Sequence, residues 1–358
     1  MIIMAVLGAI VIALVIASRM AGVGLEAQQF YKYTAERENN YQMARSAVEM
    51  GFELLRADNG DTDSVNSVWA VGAVSLEWEG KNVVISVVDE ESKFPLSVMQ
   101  KNTNNCAFWS EALVRLFENG GLGKGEEARD QFLDWVDSDS QRRSRGAEGN
   151  DYADMIVRNS PMDSLQELFA LPAWQEGPNY KTPHNVADFK ELEANYNNSV
   201  SGESGSGDNN NATNTENSFL NGSNNDGGFG LEVPEAQTQG MREAADWKDF
   251  VSIYSSGKIN VNTAPKDILL CLDSAMTTTI VDEIDNKRRS GAFKRVEDLR
   301  DVAGIDADLL FRIQDQLCVK SKIFTVEASV LSSPGGVKVH SVVKRDGGKI
   351  QVIYWGIE

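Results

Sequence analysis

Residues 1–17 read MIIMAVLGAIVIALVIA, a run without charge, and residues 26–56 read EAQQFYKYTAERENNYQMARSAVEMGFELLR. How these two stretches join decides the fold. A helix needs about 20 apolar residues to span a bilayer. The first run reaches that length if Ser18 and Arg19 sit near one membrane face, Arg19 snorkels, and MAGVGL continues the span to Leu25. The second stretch has no proline and a single glycine, Gly51. Its apolar residues Phe30, Tyr33, Tyr41, Ala44, Ala47, Val48, Phe52 and Leu55 recur mostly at spacings of three and four, which is one face of a helix. The two stretches therefore read as one unbroken helix, apolar all round in its first half and one-sided in its second. A cleaved secretory signal competes with this reading. It needs a basic n-region before the apolar run, and this sequence shows none.

Outward from that helix the pattern changes twice. Residues 68–90 hold two runs rich in Val, Trp and Ile, VWAVGAVSLEWE and NVVISVVDE, joined by a turn at Gly80-Lys81; they read as paired strands. From Asn105 to about Asn185 the chain reads as short helices, FWSEALVRLFENG, EEARDQFLDWVD and SLQELFAL, and Asn185–Tyr196 as another. Residues 197–230 are dominated by Asn, Gly and Ser and hold little to bury, which predicts a disordered loop. The sequons at Asn197, Asn211 and Asn221 are of a kind that such tracts produce by chance. Gly257–Ser321 is helical again. IFTVEASVL, GVKVHSVVKRD and KIQVIYWGI then alternate apolar and polar, broken by Gly-rich turns at 333–336 and 346–348, a closing antiparallel meander.

Strands at both ends pair most simply into one sheet covering the N-terminal helix. The expected fold is α+β: a long N-terminal helix plus an antiparallel sheet, with a large all-α insertion. The boundaries expected are 1–25 for the apolar half of the helix, 26–95 with 322–358 for the α+β domain, and 96–321 for the insertion.

The 358 residues suffice for two domains, and carry 34 Lys and Arg against 53 Asp and Glu, a net charge of −19. That balance repels phosphate backbones and favours a divalent cation held by clustered carboxylates. The three cysteines, Cys106, Cys271 and Cys318, make no C-x-x-C pair. Cys271 and Cys318 flank one helical segment and pair only in an oxidising compartment; the alternative is three buried thiols.

The long helix, the small sheet and the inserted helices together resemble the type IV pilins and pseudopilins. The resemblance is strongest to the minor pseudopilins of the general secretion pathway protein K family, whose hallmark is a helical domain inserted into the pilin sheet. Most pilins carry a glutamate at the fifth position after processing. Here the position is Ala5, and the K subunits are those that usually lack the glutamate. The resemblance implies an inner-membrane anchor through the first half of the helix, represented by Ile2, Ala5, Leu7, Ile10 and Leu14. It also implies a body in the periplasm, processing by the prepilin peptidase if a leader exists, and a place at the pseudopilus tip with the minor pseudopilins I and J.

Two stretches of the insertion carry motifs. KINVNTAPKDILLCL, residues 258–272, resembles an I-N-x-N-T-A-P stretch of that family. In physical terms Thr263 is placed to N-cap the following helix, Pro265 suits its first turn, and Asp267 suits its dipole. Asn260 and Asn262 are placed to satisfy turn amides, and Ala264 lies between them and the proline. FLDWVDSDSQRRSRGAEGNDYAD, residues 132–154, gathers Asp134, Asp137, Asp139, Glu148 and Asp151. Hard cations want several carboxylate oxygens, and the resemblance implies calcium here. The spacing is not that of an EF-hand. The competing reading is a solvated acidic loop neutralised by Arg142, Arg143 and Arg145.

Residues 277–313 resemble a helix-hairpin-helix module, which opens a second function class, a membrane-anchored DNA-binding protein. Its hairpin would be Val302-Ala303-Gly304-Ile305-Asp306, with one glycine and an acid, and the basic run Lys287-Arg288-Arg289 reads as a solvated helix end. No nucleic acid is expected as a partner. A third class, a calcium-dependent hydrolase, lacks support: His184 and His340 stand in no nucleophile motif, and there is no H-E-x-x-H, P-loop or G-x-G-x-x-G. The expectation is an assembly subunit and not an enzyme.

Overall fold

The computed structural model describes residues 2–58, 60–70, 72–101, 105–152, 157–180, 189–196, 246–332 and 335–358, with the backbone alone at 2–9, 11 and 150. The expected loop at 197–230 with its sequons, His184, and residues 333–334 of the turn at 333–336 lie outside the described residues.

Helix α1 is unbroken from Ile2 to Ala57. Its second half buries Met43, Ala44, Ala47, Val48, Phe52 and Leu55 at the spacing read from the sequence. Each large side chain so buried contributes about 1.5–3 kcal/mol. Gly51 sits directly against the sheet. A Cβ there would lie 2.4 Å from Val326 Cγ1. Earlier in α1, Ile10, Leu14, Leu25, Phe30 and Tyr33 are exposed, so this half projects from the body. Among the described residues no helix is long and apolar enough to cross a membrane. The side chains of Ile2, Ala5 and Leu7 lie outside that description.

After α1, strands β1 (Val74–Trp78) and β2 (Lys81–Asp89) form a hairpin. Its turn is Glu79-Gly80, with φ of 52° and 74°, one residue earlier than the sequence suggested. Two successive positive φ values match the right-handed twist of a hairpin, and Trp78 then pairs with Lys81. Residues 68–70 form a 3₁₀ turn instead of strand, burying Trp69.

The chain leaves the sheet at Asp89 and returns at Ile323. In between run β3 (Phe94–Pro95), α2 (Leu96–Gln100), α3 (Cys106–Asn119) and α4 (Gly125–Val136). A helix over 189–196 (α5) and β4 (Val251–Ser252) follow. Next come β5 (Ile259–Asn260), α6 (Lys266–Leu270), α7 (Thr278–Ser290), α8 (Ala307–Ile313) and β6 (Leu317–Cys318). The run SLQELFAL forms a 3₁₀ helix over Leu165–Ala170, opened by a capping box between Ser164 and Glu167. The two-residue strands pair in parallel, β3 with β4 and β5 with β6. An apolar core of its own holds this block together. Trp109, Trp174, Trp247 and Phe117 are fully buried in it, and Phe117 stacks on Trp247 at 4.4 Å.

Strands β7 (Ile323–Leu331), β8 (Val337–Asp346) and β9 (Lys349–Ile357) close the chain. The β8–β9 turn is Gly347-Gly348, with φ of 53° and 81°. The sheet order is β1-β2-β7-β8-β9, every pair antiparallel. One face lies on α1, through Val83, Val326, Val339 and Val343. The helical block is thus threaded between two neighbouring strands, β2 and β7. It attaches at the sheet end nearest the C-terminus of α1, where Leu55 and Trp69 pack with Phe324.

Candidate functional site

The acidic stretch is built from the end of α4 and the loop after it. Asp134 faces inward on the last turn of α4 and is wholly buried. It accepts from the Arg143 backbone N–H at 3.1 Å and from Arg143 Nη1 at 2.5 Å. The same Nη1 donates to Asp137 at 2.5 Å. Burial pushes the Asp134 carboxyl up against the opposing pull of Arg143. Gly146 is required beside it: a Cβ there would fall 1.8 Å from Asp134 Oδ2.

Asp137 and Asp139 shape the loop through their own backbone, accepting from Asp139 N–H at 3.3 Å and Gln141 N–H at 2.8 Å. Glu148 arrives from the far side of the loop. The carboxylates of Asp137, Asp139 and Glu148 each offer an oxygen within 4.8 Å of the others. Glu148 is buried and its Oε1 has no hydrogen-bond partner. Burial, then Asp134, Asp137 and Asp139, push its carboxyl up. Asp151 turns away from this trio, accepting from the Glu148 N–H at 2.9 Å and from Arg142 at 3.1 Å. Of the five acids singled out in the sequence, Asp137, Asp139 and Glu148 face one another; Asp137 shares Arg143 with Asp134, and Asp151 is engaged by Arg142.

Sequence reasoning did not single out Asn159. Its Nδ2 donates to the Asp139 carbonyl at 2.7 Å, its φ is 48°, and its buried Oδ1 has no partner. The Tyr152 hydroxyl is also buried without a partner, and burial ahead of Asp134 pushes it up to about 12. An all-oxygen donor set with orphaned buried acceptors fits a hard cation such as calcium, which takes roughly six to eight oxygens.

The I-N-x-N-T-A-P stretch does something else. The expected N-cap is not formed: Thr263 Oγ1 donates to Asp89 Oδ2 at 2.6 Å, and Pro265 occupies the cap position of α6 without a side-chain cap. The buried carboxylate of Asp89 competes for the hydroxyl and wins it. Asn260 does satisfy a turn amide, accepting from Asn262 N–H at 3.0 Å, and its Nδ2 donates to Ser321 Oγ at 2.8 Å. Asn262 holds both backbone groups of Phe293, accepting at 2.8 Å and donating at 3.0 Å. The Ala264 carbonyl accepts from Arg288 at 2.7 Å. Beside Asp89, Asp63 is buried with Arg345 at 2.6 Å and accepts from Ser321 N–H at 2.7 Å. The stretch is therefore a polar seam joining the helical block to the sheet.

Arg288 corrects the reading of the basic run as a solvated helix end. Its guanidinium is buried and bonded to Asp285, Val261 and Ala264, while Lys287 reaches the Asp301 carbonyl and Arg289 pairs with Asp285. The three cysteines are free; Cys271 donates to Ile268 O and Cys318 to Glu91.

With this geometry in place, comparison with known proteins gives three likenesses. The family described as type II secretion system protein K matches residues 92–178, from just before β3 to beyond the 3₁₀ helix at Leu165–Ala170. A chain of the GspK-GspI-GspJ complex from the type 2 secretion system of enterotoxigenic Escherichia coli shares the fold with a TM-score of 0.61 at 13% identity. That likeness covers 91% of this chain and 98% of that one. A 70-residue stretch is 31% identical to the endonuclease/exonuclease/phosphatase family domain-containing protein 1 of Xenopus laevis. It takes in 20% of this chain and spans only 13% of that protein. The long helix laid on an antiparallel sheet, with a helical block threaded into it, is the fold of the chain from that complex. Within the threaded block, residues 92–178 are similar to the type II secretion system protein K family.

Proposed function

We propose that this chain caps the tip of a type II secretion pseudopilus, as a structural component of protein export, in complex with minor pseudopilins of the I and J kinds. The observation that carries this reading is the position of the helical block. It is attached at the sheet end nearest Leu55 of α1, opposite the projecting apolar half of the helix. A block of that bulk obstructs a further subunit stacked above it. The charge-free run from Met1 to Ala17 supports anchoring in the inner membrane before assembly, with the body periplasmic. In this reading residues 96–321 form the inserted domain, and 26–95 with 322–358 the pseudopilin domain.

Calcium belongs to the same proposal. Asp137, Asp139 and Glu148 would hold it, with Asn159 Oδ1 as an adjacent oxygen donor. The ion would neutralise the mutual repulsion of the trio and fasten the loop. The DNA-binding alternative loses its main support, since Arg288 is spent inside the fold.

The test is a pull-down of the body, from about Glu26, against the periplasmic bodies of the other minor pseudopilins of the same organism, with and without chelator. A stoichiometric complex is expected, weakened by chelation. A complex indifferent to chelation would remove the cation from the proposal. No complex under either condition would overturn the tip assignment.

A further inference from the structure

The sheet has two edges, and they differ. Edge strand β1 carries Glu77 and is followed by Glu79, charges that discourage a further strand from pairing. Edge strand β9 carries no charge between Ile350 and Ile357, and Val352, Ile353, Tyr354 and Ile357 are each 40–51% exposed. Among the described residues β9 pairs with β8 alone.

The direction of its free hydrogen-bonding groups follows from the ladder. Lys338 and Glu358 exchange both backbone bonds, at 3.1 and 2.8 Å. Antiparallel pairing alternates, so the N–H and C=O groups of Trp355 and Ile357 point away from β8. Only another extended backbone matches such a row of alternating donors and acceptors.

A cleft of about 400 Å³ adjoins this edge. Its floor is the sheet face away from α1, including His340, Tyr354 and Gly356, and its roof is the helical block. The Tyr254 and Tyr354 rings approach to 5.9 Å across it. Leu165 and Phe169 of the block line it as well. Its cations are matched within it: Lys93 by Glu90, Lys190 by Asp249, Lys248 by Asp246, and Lys338 by Glu327.

We propose that the β9 edge and this cleft form a docking site for an extended strand of another polypeptide, apolar at alternate positions and free of acidic residues. The strand's backbone would continue the sheet beyond Trp355 and Ile357. Its alternate side chains would enter the cleft beneath Tyr254, the arrangement by which added strands gain both affinity and specificity. A second copy of this chain is disfavoured as occupant, because it brings its own net charge of −19 to the same edge. A neutral or basic strand meets no such repulsion. This inference stands apart from the tip assignment.

The test is amide hydrogen exchange on the full chain, with and without a labelled synthetic peptide of alternating Val and Thr flanked by Lys. The expected result is fast exchange at Trp355 and Ile357 in the free protein, slowed when the peptide binds. The Ile357→Pro variant removes an N–H that β8 does not use, so its far-ultraviolet circular dichroism should stay unchanged. Its affinity for the peptide should fall about tenfold. Ile353→Lys serves as a second variant that leaves the ladder groups in place and should also weaken binding. Slow exchange at Trp355 and Ile357 without peptide would overturn the proposal, since the edge is then already covered. Dependence of that protection on protein concentration would assign the cover to a second copy, and its absence to the chain itself. Peptide binding that leaves these amides unprotected would overturn it equally.

Discussion

Thr263 Oγ1 and Asp89 Oδ2, 174 positions apart in the chain, meet at 2.6 Å in a buried hydrogen bond between the helical block and the end of β2. Asp89 also accepts from Ser321 Oγ at 2.6 Å and from Glu91 N–H at 2.8 Å. Removing one donor from so buried a carboxylate costs about 1–3 kcal/mol. Thr263→Val should therefore lower stability by that amount in urea titrations at neutral pH, with α6 retained, because the hydroxyl does not cap it.

The same carboxylate gives the protein a pH signature. Burial, followed by the charge of Glu91, pushes Asp89 up to about 7 from an ordinary value of 3.8. Between those values the folded chain holds a proton that the unfolded chain releases. Stability from this group is therefore full below about pH 4 and declines as pH rises through about 7. Asp89→Asn should flatten the pH dependence of the unfolding midpoint over that window. An unchanged slope would remove Asp89 as its source.

Glu148→Gln should have opposite effects with and without cation. Without one, it relieves repulsion from Asp134, Asp137 and Asp139, so the melting temperature in chelator should rise. With calcium, the stabilising shift seen in the unsubstituted chain should shrink or vanish, since one charged ligand is gone. Paired thermal melts measure both.

Asn262→Ala leaves both backbone groups of Phe293 without their partner. Two buried unsatisfied groups cost about 2–5 kcal/mol together. Proteolysis should then cut first around Phe293, ahead of the sheet.

Gly51→Leu should destabilise the packing of α1 on the sheet by about 1–3 kcal/mol or more, because Val326 already occupies the space of a first side-chain carbon. Gly22→Leu, where nothing lies within 4 Å, is the control and should be neutral.

The elements legible in the sequence were those with a long period. Helix α1 declared its buried face through Ala44, Ala47, Val48 and Phe52, and β7 to β9 declared themselves by alternation and by glycine turns. The two-residue strands β3 to β6 carry no period, because two residues cannot show one. Thr263 and Arg288 were misjudged for a shared reason. Local spacing names a helix cap or a solvated helix end, but a buried carboxylate or carbonyl from a distant segment offers a stronger bond, and sequence spacing does not reveal distant segments. In the acidic loop the residue types were legible. Which of them face one another, and which share Arg143 or meet Arg142, depends on the fold of the return loop through Gly146.

The threading of the helical block between β2 and β7 constrains the order of folding. Glu90 and Thr325 bond at 2.8 Å although 235 positions separate them. The sheet cannot close until the last strands have been synthesised, and closing so long a loop is slow unless the chain between has already collapsed. The block, with its own aromatic core, is suited to fold first and bring the two ends together. Until then the buried stripe of α1 has only β2 to cover it, which makes the interval before β7 docks the period when the nascent chain is most exposed to aggregation and most in need of a chaperone.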